Sequence, residues 1–168
     1  MLTIHLRTLY TSTELLSELR TGEIFLVCSL RLWVLSHCSD PGAYPDWREG
    51  FQRAGIGCAG AIRFDNLCRI IATTAQRTLH VRSIYCARLG EDEALFLSLL
   101  GLLQHDRDLD AEAILRGWCP PAAVRVAMTP ARGFAYDLRS RMLWVSAPHI
   151  ETAPALTAST SMAGATLH

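Results

Sequence analysis

Apolar residues recur along this chain at the three- and four-residue spacing that places side chains on one face of a helix. The clearest stripe lies within residues 61–76 and consists of Phe64, Leu67, Cys68, Ile71 and Ala75. A shorter stripe of the same spacing consists of Ala111, Ile114, Leu115 and Trp118. We predict an amphipathic helix at each of these places.

Residues 91–104 combine an acidic start with a long apolar run. Three carboxylates, Glu91 to Glu93, would lie in the first helical turn, where they complement the helix dipole. The following residues are apolar almost all round, interrupted by Ser98 and Gly101. The pattern predicts a central helix that must be covered on every side.

Three segments have a less decisive pattern. Residues 24–35 are apolar without a clear period, so a buried helix and a buried strand both stay open, and the length favours a helix. Residues 79–86 alternate weakly and fit an isolated strand or an extended connection. Residues 142–145 could be a strand and would end the ordered region.

Proline, glycine and capping residues predict where the remaining helices begin and end. Thr11 or Ser12 would cap a first helix that Thr21-Gly22 closes. Pro45-Asp46-Trp47 would start a short helix ending near Ala54. The glycines that follow predict a loop; they are Gly55, Gly57 and Gly60. Further along, Pro120-Pro121 and Thr129-Pro130 would each start a separate helix.

The expected fold class is therefore mainly α: a compact bundle of about six or seven short helices, with at most a minor β element. Residues 1–146 are expected to form a single globular domain. Residues 147–168 turn to Ala, Thr, Ser and Pro without a period, and we expect a flexible tail there.

Composition narrows the function classes. The 16 basic residues balance the 16 acidic ones, and all of the basic residues are arginine. Without lysine, Schiff-base chemistry and a Walker-type phosphate loop are excluded. No secretory signal or membrane span is evident, so we expect a cytoplasmic protein.

The six cysteines suggest thiol or metal chemistry only weakly. Several fall inside apolar periodic segments, so we predict reduced, buried thiols. Their spacing contains no C-x-x-C pair, so we predict no metal site and no other cofactor. His37 beside Cys38 is the only adjacent histidine–cysteine pair, but chain neighbours seldom point their side chains at each other. Residues 55–60 spell G-x-G-x-x-G but lack the preceding strand that a dinucleotide site requires.

The last third of the chain is rich in arginine. Among the candidates for an interaction surface are Arg116, Arg125, Arg132 and Arg139. Three short helices with this charge could imitate a DNA-binding unit, although the proline-rich turns do not fit a helix-turn-helix.

No motif identifies an enzyme, and we assign no catalytic residue. The leading expectation is an interaction or regulatory protein that binds another protein or its own copy. A small DNA-binding regulator that uses the arginine-rich third is the alternative, and a metal or thiol redox sensor is the third candidate. For a homodimer, the shallow face at Ser98 and Gly101 is the predicted contact.

Overall fold

The computed structural model describes residues 14–40 and 42–147, which fold into six α-helices joined by short connections. The helices are α1 (Thr21–Cys38), α2 (Trp47–Arg53), α3 (Gly57–Thr74), α4 (Glu91–Gln104), α5 (Asp108–Arg116) and α6 (Pro121–Ser140). A 3₁₀ turn over Leu16–Glu18 precedes α1. The prediction of a mainly α, compact bundle is confirmed.

Helix α4 lies at the centre of the fold, as its apolar sequence predicts. From Phe96 to Gln104, every residue of this helix is buried. It packs against α1, α5 and α6, while α3 and α6 make the most extensive helix–helix contact of the fold. Within the described residues, no helix is both long and apolar enough to cross a membrane.

A cluster of aromatic rings joins α2, α3 and α6. The rings of Phe51, Phe64 and Phe134 are mutually in contact, with centroids 5.0 to 5.7 Å apart. Trp47 and Phe96 extend the cluster on either side of Phe64. Such contacts each add a little to the burial of apolar area, and together they fix how the three helices cross.

The predicted boundaries near the N-terminus are wrong. Thr21-Gly22 does not close a helix but starts α1, and the capping residues expected at Thr11 and Ser12 lie outside the described part of the chain. Gly22 is needed for another reason: a Cβ at this position would lie 2.9 Å from the carbonyl oxygen of Trp144. The sequence could not reveal this close approach between residues 122 positions apart.

The predicted loop at residues 55–60 is only partly confirmed. Gly55 and Gly57 have positive φ angles of 71° and 74°, which glycine adopts without strain, and they turn the chain from α2 into α3. Gly60, however, lies inside α3, where a Cβ would collide with Ile56. This glycine serves close packing instead of a turn.

Helix α6 is continuous through Thr129-Pro130, so the predicted break is wrong. Proline removes one backbone donor and normally kinks or ends a helix. Here residues on both sides of it are buried in the core; they are Val124, Ala127, Met128, Ala131 and Phe134. Their burial outweighs the local preference, and tertiary packing keeps the helix whole.

The remaining segments form no strand within the described residues. Residues 79–86 form a connection with a turn between Ser83 and Cys86, so neither an isolated strand nor a fully extended connection spans them, and residues 142–145 also have no strand partner. Val145 is buried and Ala147 packs against the core. The tail expected over 147–168 otherwise lies outside the described residues.

Candidate functional site

A buried ion pair links α1 to the start of α4. Arg31 donates two hydrogen bonds to Glu93, from Nε to Oε1 at 2.7 Å and from Nη2 to Oε2 at 2.9 Å. Both side chains are wholly buried. Arg31 also donates to the carbonyl oxygens of Cys86 and Arg88, at 2.6 and 2.8 Å. The arginine therefore holds the long connection before α4 as well as the helix itself.

Two neighbouring carboxylates of α4 hold the same connection through its backbone amides. Glu93 accepts hydrogen bonds from the amides of Arg82 and Gly90, at 3.0 and 2.7 Å. Asp92 accepts one from the amide of His80 at 2.7 Å. Residues 80–90 are thus held by side chains of α4 and, at Arg88, by an isolated antiparallel bridge to Leu15.

Asp92 has two further partners. It accepts hydrogen bonds from the guanidinium of Arg77 and, at 3.2 Å, from the indole nitrogen of Trp118. Burial alone would raise the pKa of Asp92, but the hydrogen bonds from Arg77, His80 and Trp118 outweigh burial and lower it. For Arg31, burial acts to lower the pKa, and the bonds to Glu93 raise it above its ordinary value. These groups stay charged at neutral pH.

Beside this network lies an apolar groove of about 730 Å³, between α1, α3 and the connection that follows α3. Its apolar lining is formed mainly by Leu30, Trp33, Ile71, Leu79, Val81, Phe96 and Trp118. Its polar lining includes His37, Cys38, Arg69, Arg77 and Asp92. The volume falls within the range of ligand-binding clefts.

The wall of the groove formed by α1 and α3 is fixed by a second carboxylate. Asp65 accepts hydrogen bonds from the indole nitrogen of Trp33 at 2.7 Å and from Nε of Arg69 at 2.8 Å. Burial alone would raise the pKa of Asp65, but these bonds outweigh it and the pKa is lowered. The Trp33 ring is therefore held in one orientation, and its small exposed part belongs to the lining of the groove.

The histidine–cysteine pair at the end of α1 does not form a catalytic pair. The ring of His37 stacks on Trp33 with centroids 4.2 Å apart, and its Nδ1 lies 2.8 Å from the carbonyl oxygen of Trp33. This contact turns the imidazole back onto its own helix. Cys38 is exposed and lies on the groove lining.

The structure places Ser98 and Gly101 in the interior. The Ser98 hydroxyl donates to the carbonyl oxygen of Ala94 at 2.9 Å. Gly101 is covered by the backbone of Ser146 and Ala147, so closely that a Cβ would collide with the Ser146 carbonyl oxygen. These positions therefore do not form an open face on which a second subunit could dock.

Three of the four candidate arginines in the last third are paired with acidic side chains. Arg116 pairs with Glu112 and Arg132 with Asp108, both at 2.9 Å. Arg139 donates to the carbonyl oxygen of Gln104 at 3.2 Å and lies 3.8 Å from Asp106.

The fourth, Arg125, is exposed and makes no ion pair with another described residue. The candidate arginines are therefore not gathered into one unpaired basic surface. The acidic residues that pair with three of them are Glu112, Asp108 and Asp106, which precede the arginine-rich part of the sequence. The charge of that part alone therefore did not show the pairing.

Sequence reasoning missed the residues that build the groove. Arg31 was visible only as a charge interrupting an apolar run, and Glu93 only as one of three acids at a helix start. An arginine within an apolar run was the one available signal, because a buried arginine requires a carboxylate partner. The sequence does not show that this partner lies 62 residues away.

All six cysteines are free thiols, of which Cys68 and Cys119 are buried. Within residues 14–40 and 42–147, no group of three or more His, Cys, Asp or Glu side chains could hold a metal ion. Comparison of the chain with protein-family models, with curated proteins and with solved structures returns no match.

Proposed function

We propose that this protein is a non-enzymatic binding module that receives an apolar segment of another protein in the groove. The observation that carries the proposal is the groove itself, which is lined by the buried side chains of Trp33, Phe96 and Trp118 beside aliphatic side chains. A cleft lined mainly by hydrophobic and aromatic side chains is the usual form of a binding site. This protein would act as a regulator if its binding keeps that segment from the other proteins that the segment contacts.

The chemistry of the groove favours binding over catalysis. Its two nearby carboxylates, Asp65 and Asp92, each accept several hydrogen bonds and have lowered pKa values. A general acid or base needs the opposite: a free group whose pKa lies near the working pH. These carboxylates hold the walls of the groove in position.

The shape of the groove favours a protein segment over an enclosed small molecule. Exposed residues line its outer side, among them Ala72, Thr73, Gln76 and Thr78. An occupant would therefore be bound along one face and remain in water along the other. A peptide with apolar side chains on one face meets both conditions.

Selection from a random peptide library displayed on phage, with the full chain immobilised, tests this proposal. The test variant is Ala72→Trp, which places a large ring on the groove lining at an exposed position of α3. The matched control is Ala59→Trp, at an exposed position of the same helix away from the groove. We expect selected peptides to lose at least about tenfold in affinity for the test variant and to keep their affinity for the control.

Two results would overturn the proposal. One is a set of peptides bound equally well by both variants, which would place binding elsewhere. The other is the absence of any selected peptide together with binding of a small apolar dye that Ala72→Trp blocks, which would indicate a small-molecule site.

The expected homodimer stays a prediction, and the groove proposal is independent of it. Sedimentation of the chain alone at micromolar concentration measures it directly. A constant mass of 18.6 kDa would exclude self-association. A dimer that Ala72→Trp dissociates would make a second copy of this chain the occupant and would overturn the assignment to another protein.

A further inference from the structure

Resting on the proposed function, we infer that the occupant of the groove is an extended, acidic peptide that pairs with residues 79–81 as a second β-strand. Its alternate apolar side chains would enter the groove. The inference depends on three features of residues 75–83: the alternation of their side chains, an open backbone edge and an unbalanced charge.

Residues 79–82 show the alternating side-chain burial of a strand although they have no strand partner. The side chains of Leu79 and Val81 pack against the core, while His80 and Arg82 between and beyond them are exposed. This period of two is the side-chain pattern of an extended backbone.

One edge of this strand is already hydrogen-bonded. The amides of His80 and Arg82 donate to Asp92 and Glu93, at 2.7 and 3.0 Å. Successive amides of an extended chain point to opposite edges. The amides of Leu79 and Val81 therefore point away from α4.

The second edge is open. Among the described residues, no acceptor is bonded to the amide of Leu79 or Val81. Both residues line the groove, so a strand added at this edge would place every second side chain over the same apolar surface. The main-chain bonds would supply affinity, and the groove would select the side chains.

The charge of this segment identifies the chemistry of the occupant. Residues 75–83 contain Arg77, His80 and Arg82 and no acidic residue. Arg77 is balanced by Asp92 of α4, whereas the exposed Arg82 side chain makes no ion pair with a described residue. A peptide with carboxylates beside its apolar residues complements this charge.

Fluorescence anisotropy with synthetic peptides on the full chain tests the inference. The parent probe is the fluorescein-labelled heptapeptide Asp-Val-Thr-Val-Thr-Val-Asp. Two isomers carry two N-methyl groups each, either on the amides of the first two valines or on the amides of both threonines, and so block one edge each. Because only one edge of an added strand faces the protein, we expect one isomer to lose about tenfold or more in affinity and the other to bind like the parent.

The protein side has its own matched pair. Val81→Pro removes the open amide, whereas Val81→Thr keeps it with a side chain of similar shape. We expect the proline variant to bind the parent probe about tenfold more weakly than the threonine variant does, with equal helical circular dichroism for both. If the proline variant does not fold, the two N-methylated isomers still decide the question.

The failures of the two proposals are distinguishable. Equal affinity of the two N-methylated isomers would overturn strand pairing. In that case, a loss of peptide affinity in Ala72→Trp would still support the groove as the binding site. Tighter binding of a probe with lysine in place of its aspartates would overturn the acidic assignment. If Ala72→Trp changes no peptide affinity at all, the groove proposal itself fails.

Discussion

Arg31 and Glu93 are joined by two hydrogen bonds in the interior of the protein, with neither side chain exposed. The pair connects α1 to α4, and through the remaining donors of Arg31 it also holds the connection that forms one wall of the groove. An ion pair removed from water is weak evidence for net stability, but separating its two members is costly. Its role here is to hold a groove wall in place.

The first prediction concerns this pair. Arg31→Met and Glu93→Gln should each lower the free energy of unfolding by about 3–5 kcal/mol, because each leaves the other partner buried without its counter-charge or full set of hydrogen bonds. The double variant should lose clearly less than the sum of the two. Urea unfolding followed by circular dichroism measures all three values. Additive losses would show that the two residues act independently, contrary to the structure.

The second prediction concerns pH. The pKa values of Asp65 and Asp92 are lowered in the folded protein, so their contribution to stability is complete above their ordinary values near 4. As the pH falls below 4 through the lowered values, protonation removes this contribution and the melting temperature should drop. Asp92→Asn should be less stable at pH 7 and should show a shallower drop below pH 4. Glu91→Gln, at an exposed position of the same turn, should follow the parent chain.

The third prediction concerns the thiols. Cys38 and Cys58 are exposed, whereas Cys68 and Cys119 are buried. Burial raises the pKa of the Cys68 thiol well above its ordinary value, which further lowers its thiolate fraction. Ellman's reagent should therefore modify Cys38 and Cys58 first in the native protein, and all six thiols should react after denaturation. Rapid modification of Cys68 under native conditions would contradict the packing of α3.

The fourth prediction concerns Pro130 inside α6. Replacing it by alanine restores the missing backbone donor, and an interior proline costs a helix about 3 kcal/mol relative to alanine. Part of that gain, about 0.4–1 kcal/mol, is offset because proline also restricts the unfolded chain. Pro130→Ala should therefore raise the midpoint of urea unfolding, with Thr129→Ala as the neighbouring control. A lower midpoint would show that proline at position 130 stabilises the folded protein relative to alanine.

Local patterns were sufficient to predict most of the helices. The bounds of α4 follow from its three acids and the apolar run behind them, and α3 and α5 follow from their stripes. At Pro130 the same reasoning failed, since burial of the residues on both sides outweighs a local preference that is otherwise reliable.

The candidate site could not be predicted in this way. Arg31 and Glu93, like Trp33 and Asp65, meet only after the helices pack, and a single sequence carries no sign of which distant residues will touch. The interaction face expected at Ser98 and Gly101 followed from the apolar surface of α4. The structure covers Gly101 with residues of its own chain, Ser146 and Ala147.

Protection of Cys38 by a bound peptide shows directly whether the peptide occupies the groove. Cys38 lines the groove, and Cys58, also exposed, lies on a separate small cavity beside α2. The rates at which iodoacetamide modifies the two thiols are measured by mass spectrometry, with and without a saturating peptide from the library selection. A peptide in the groove should slow the modification of Cys38 by about tenfold or more and leave the rate at Cys58 unchanged. Unchanged modification of Cys38 while the peptide is bound would contradict the account.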